Sequence, residues 1–133
     1  MKSVKFLLPA LLLLSFASSQ FVLASPDAAQ GATPAIKQIA SILVDLNHHP
    51  DASGKAALQE IMNDTSASVA ERTLATAIAN LDHKASAGDR EKLQAVVSDN
   101  KTPAAARDIA NIVLNLTHKP SPADKQTLKN IMQ

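Results

Sequence analysis

The 133-residue chain has no cysteine, tryptophan or tyrosine, and its three phenylalanines, Phe6, Phe16 and Phe21, all lie near the N-terminus. Beyond residue 24 the only aromatic side chains are four imidazoles, His48, His49, His83 and His118. The missing thiols exclude disulfides, cysteine nucleophiles and iron–sulfur ligation. The missing aromatic platforms exclude the stacking by which proteins hold bases of single-stranded nucleic acid. Glycine is equally scarce, at three residues, so no glycine-rich phosphate loop is present. Neither an HExxH pair nor a nucleophile elbow occurs, and the serines and aspartates stand where helix caps explain them. An enzymatic role is therefore not expected, and neither is a resident cofactor.

Residues 1–24 read as a targeting segment. Lys2 and Lys5 form a short basic region, an apolar run follows from Phe6 to Leu14, and Val22 and Ala24 suit a cleavage site after Ala24. The apolar core falls short of the roughly 18–20 residues that span a bilayer, so no membrane anchor is expected after cleavage. Residues 25–33, rich in Ser, Pro, Asp, Ala, Gln and Gly, read as a disordered mature N-terminus. The product would be periplasmic or secreted. Basic residues outnumber acidic ones by 13 to 12, and losing Lys2 and Lys5 reverses that sign, so nothing draws the chain to nucleic acid or an acidic membrane.

The rest of the chain repeats itself. Leu46, Leu81 and Leu116 recur at one interval of about 35 residues, as do His48, His83 and His118, and Leu58, Leu93 and Leu128. The period defines three units, about 34–66, 67–101 and 102–133, in a single all-α domain over 34–133. Each unit holds two apolar-periodic segments separated by a break at His48-His49-Pro50, His83-Lys84 or His118-Lys119-Pro120. Cap residues mark the starts: Thr33-Pro34, Ser68 with Glu71, Ser86 with Asp89, Thr102-Pro103, and Ser121 with Asp124. The first helix of each unit, helix A, is apolar over most of its circumference, whereas the second, helix B, carries the charges. Helix A should form the inner layer and helix B the solvated one. Three hairpins of this kind predict a short α-solenoid or a compact six-helix bundle.

In period and helix order the units resemble the tetratricopeptide and pentatricopeptide repeats, over residues 33–133. The resemblance implies superhelical stacking and carries no residue roles. The aromatic and Gly-Tyr positions of the tetratricopeptide pattern have no counterpart, and Pro34 and Pro103 echo its final proline only loosely.

Two sets of residues stand out as candidate sites. Helix A carries a polar stripe without Lys or Glu, at Gln38, Ser41 and Asp45, then Thr73, Thr76 and Asn80, then Asp108, Asn111 and Asn115. Lys and Glu form helices better than Asn or Thr, so their absence marks a surface for a protein or peptide partner or a network between repeats. The histidines are the second set. At helix ends they suit the macrodipole, and the adjacent pair His48-His49 with Asp51 could hold Zn²⁺ or Cu²⁺. In an open stack, equivalent histidines lie too far apart to share an ion, because packed helices are roughly 8–10 Å apart. Acidification would charge all four imidazoles, which adds a pH-responsive reading. The C-terminal helix, with Leu128, Ile131 and Met132 and no following element, predicts either a polar outer side or a homodimer contact there.

Overall fold

Residues 32–133 are described by a computed structural model. The targeting segment and all but the last two residues of the 25–33 stretch lie outside the described residues. Six helices follow: α1 (Pro34–Val44), α2 (Ala52–Asn63), α3 (Val69–Ala79), α4 (Ala87–Ser98), α5 (Ala104–Asn115) and α6 (Pro122–Met132). Their starting points keep the period of the sequence, so α1, α3 and α5 are the A helices and α2, α4 and α6 the B helices.

Local chemistry explains most of the starts. Thr33 caps α1 by accepting from the Ile36 N–H, with Pro34 just inside the helix. Ser68–Glu71 and Ser121–Asp124 are full capping boxes, and Ser86 accepts from the Asp89 N–H. In the first unit Asp51 takes this role for α2, accepting from Gly54 N–H at 2.6 Å. The third unit departs from the expected pattern. Pro103 occupies the N-cap itself and not the first helical position, and makes no side-chain cap bond. Thr102 is instead buried, with its N–H donated to the Asp99 carbonyl at 3.0 Å.

The packing is closed. Each B helix lies along the A helix of the next unit, α2 on α3 and α4 on α5, and α6 completes the circuit by lying along α1. The three A helices touch one another at the centre, and no two B helices pack together among the described residues. The expected inner and outer layers are therefore present, but as a ring of three hairpins and not as an open stack. Ring closure also covers an apolar face of the last helix: Leu128 and Ile131 are fully buried within the same chain.

The core is aliphatic, centred on Ile36, Ile39, Leu43, Leu58, Leu74, Ile78, Leu93, Ile109, Leu128 and Ile131, each with less than 2% of its surface exposed. One buried carboxylate crosses between units. Glu71, at the start of α3, accepts from Ser68 N–H at 2.6 Å and from the hydroxyl of Thr33, the cap of α1. Burial raises its pKa, and the bonds from Thr33 and Ser68 more than reverse this, leaving the carboxyl below its ordinary value. Stability from this carboxylate is complete above the ordinary Glu value, about 4.3, and is lost as pH falls through the depressed one. Glu71→Gln is expected to lower the urea midpoint at pH 7 by the equivalent of about 1–2 kcal/mol and to narrow the gap between midpoints at neutral and acid pH. An unchanged gap would show that the carboxylate does not clip the first unit to the second.

Candidate metal centre

Each A helix ends in a corner turn held from both sides by buried residues. Leu46, Leu81 and Leu116 are 4% exposed, and Pro50, Ala85 and Pro120, four residues further along, are also buried. Between these anchors the chain presents a histidine: His48, His83 or His118. At the first two corners the turn is unusually tight. His49 N–H donates to the Asn47 carbonyl at 2.9 Å, and Lys84 N–H to the Asp82 carbonyl at 2.8 Å. These i-to-i+2 bonds, with φ of 70° at His48 and 66° at His83, are γ-turns of the rare positive-φ kind. His118 also has positive φ, at 151°.

Positive φ is uncommon for a residue with a side chain and costs energy that the surroundings must supply. Three histidines sharing this property at one register position therefore call for a reason beyond packing. The strain is directly measurable at His48 and His83, where glycine is expected to be more stable than alanine by about 1–2 kcal/mol, read from urea midpoints. Equal midpoints would mean that these corners relax to ordinary turns.

Ring closure brings the corners together. His48 N–H donates to the His118 carbonyl at 2.7 Å and His83 N–H to the His48 carbonyl at 3.3 Å, so the corners of the first and third units, and of the first and second, are bonded directly. The three imidazole centroids lie 5.0, 5.1 and 5.0 Å apart, and one nitrogen from each ring falls within 4.8 Å of the others. This corrects the expectation that equivalent histidines are too far apart to share an ion. The separation derived for parallel neighbours in a stack does not apply where three units turn about one axis and their corners point inward.

The nitrogens are also differentiated. Nδ1 of His48 and Nδ1 of His83 are 3.0 Å apart, while the opposite ring nitrogen of His83, Nε2, lies 3.6 Å from the Asp82 carboxylate. Loss of hydration lowers the pKa of His48, and His118, His83, His49 and Lys119 lower it further, which favours the neutral imidazole. Neutral imidazole is the form that ligates metal.

The partners expected for His48 from sequence are elsewhere. His49 is exposed, with its Nδ1 3.1 Å from the Pro50 carbonyl oxygen, and Asp51 is committed to capping α2. In the polar stripe Gln38, Ser41, Asp45, Asn80, Asn111 and Asn115 are exposed, and Thr73, Thr76 and Asp108 are half-buried. The stripe is thus a surface and not a buried network. Thr76 and Asn115 donate to carbonyls of their own helices, those of Arg72 and Asn111. Burial raises the pKa of Asp108, with Arg107 opposing. Gln38, Ser41 and Asp45 border an open cleft of about 450 Å³ between α1 and α2, whereas Thr73 and Thr76 border a separate one of about 160 Å³.

Among the described residues no helix is long and apolar enough to cross a membrane. Comparison with protein-family models, with curated proteins and with solved structures gives no match to this chain, the tetratricopeptide and pentatricopeptide repeats included.

Proposed function

We propose that the protein binds one zinc ion at His48, His83 and His118. A single observation carries this reading: three imidazoles, one from each unit, converge within 4.8 Å at positions where the backbone adopts positive φ. Tetrahedral zinc with Zn–N bonds of about 2.0–2.1 Å places its nitrogen ligands roughly 3.3 Å from one another. The His48–His83 pair already has 3.0 Å between Nδ1 atoms. The third ring, His118, stands in an exposed corner within 4.8 Å of the pair, where side-chain rotation would complete the set. An all-imidazole donor set suits zinc, copper and nickel, and the trigonal arrangement favours tetrahedral Zn²⁺ over tetragonal Cu²⁺. Asp82 facing the far nitrogen of His83 resembles the carboxylate–histidine pairs that orient metal ligands. The C-terminal ends of the three A helices lead into the corners and add partial negative charge on that side.

Calorimetry with Zn²⁺ tests this. One ion per chain is expected, with at least a tenfold loss of affinity in each of His48→Ala, His83→Ala and His118→Ala, and no loss in His49→Ala. Absence of binding, or equal loss in His49→Ala, overturns the reading.

The exposed stripe supports a second reading, a docking surface for a protein or peptide partner of an exported helical-repeat protein. Asn80→Ala with Asn115→Ala should abolish capture of such a partner while helicity is retained. Retained capture removes the stripe from consideration.

A further inference from the structure

We infer that zinc held by His48, His83 and His118 keeps a fourth, solvent-facing coordination position, and that this position takes a small monovalent anion. The inference rests on the zinc reading above and adds what completes the coordination shell.

Three donors leave one vertex of a tetrahedron open, and among the described residues no fourth metal-ligating side chain joins the three histidines. Asp82 faces Nε2 of His83, the ring nitrogen opposite the one that meets His48. His49 has its Nδ1 toward Pro50. His83 and His118 are both exposed, the His83 side chain by 54%, so the vertex opens to water and not into the core. A structural zinc site of four protein ligands is closed, whereas three protein ligands and an exchangeable fourth make an open one.

The charge of the site selects the ligand. Three neutral imidazoles leave the double positive charge of zinc uncompensated by its own donors, unlike a set containing thiolate or carboxylate, and Asp82 offsets it only from behind His83. The rim adds to it. Lys84 and Lys119 directly follow two of the three histidines, and both are exposed. An incoming cation or neutral molecule gains nothing from these lysines, whereas an anion binding metal is met by two further positive charges on flexible stems.

Cobalt substitution makes the vertex visible, because the visible bands of Co²⁺ respond to the number and kind of its ligands. The chain loaded with Co²⁺ is titrated with thiocyanate. A saturable change in the bands is expected, with half-saturation rising severalfold in Lys119→Ala and returning toward the original value in Lys119→Arg. Cobalt bands that thiocyanate leaves unmoved overturn this inference and leave metal binding standing. Half-saturation unchanged in Lys119→Ala overturns the role of the rim charge in selecting the anion. Absence of cobalt bands altogether overturns the zinc reading and this inference with it.

Discussion

Ending the chain after Lys119, so that α6 is removed, is expected to unfold the whole domain and not merely to trim one helix from it. In a linear array each unit contacts only its neighbours, and stability is close to a sum of unit and interface terms. Removing a terminal helix from such an array leaves a smaller folded protein. Here α6 lies along α1 and also meets α5, so its loss exposes the first unit and the last together. Leu128 and Ile131 are fully buried, and burying a side chain of that size contributes about 1.5–3 kcal/mol. With the matching exposure on α1, the loss reaches a large part of the 5–15 kcal/mol typical of a domain. The carbonyl of His118, which accepts from His48, sits at the base of the same hairpin and would lose its anchor at Pro120. Far-ultraviolet circular dichroism checks this, and the point variant Ile131→Asp, which places a carboxylate in the seam, should behave similarly. A truncated chain that keeps most of its helix content and melts cooperatively would restore the open-stack description.

Zinc is expected to raise the melting temperature by about 10–20 °C when free metal stands at a hundred times its dissociation constant. At that ratio binding to the native state alone contributes about 2.7 kcal/mol, and each kcal/mol moves the midpoint of a domain this size by about 4–8 °C. The ratio of free metal to dissociation constant sets the size of the effect, and the origin of the ligands decides which variants lose it. One histidine belongs to each unit, so an ion held by all three joins residues 48 and 118 across the point where the ring closes. An ion held by His48, His49 and Asp51 would close only a local loop and leave the third unit free. Thermal melts of the original chain and of His118→Ala with and without zinc separate the two. A shift that persists in His118→Ala would place the ion at the first corner alone.

Much of the fold was legible in the sequence, because the features that define it are local. Helix periodicity, the caps at Thr33, Ser68, Ser86 and Ser121, and the contrast between the apolar A helices and charged B helices predict six helices in two layers. The curvature of the array was not legible, because a 35-residue period is the same whether successive units translate or rotate. One signal was available. A solenoid needs terminal units with polar outer faces, whereas α1 carries Ile36, Ile39 and Leu43 as fully buried residues and α6 carries Leu128 and Ile131. Apolar faces on both terminal helices are the mark of a chain that covers its end with its beginning.

The candidate site failed to emerge for the same reason. His48, His83 and His118 were evident as a repeated set, but their distance from one another depends entirely on whether the units close. The positive φ values at these positions were also hidden, since glycine or asparagine would have advertised such a corner and histidine does not. In each unit the histidine stands two residues after a leucine and two before a proline or alanine, and the burial of both neighbours fixes the corner that aims its side chain. The polar stripe, conversely, was identified from composition alone, and the structure distributes its first two segments over separate clefts.

X-ray absorption at the zinc edge of the loaded protein tests the central claim most directly, because it reports which atoms surround the ion. The ring predicts three imidazole nitrogens at about 2.0 Å with one further light-atom ligand, and loss of one imidazole in His118→Ala. An oxygen-dominated shell, or a spectrum unaltered when His48, His83 and His118 are all replaced by alanine, would contradict it.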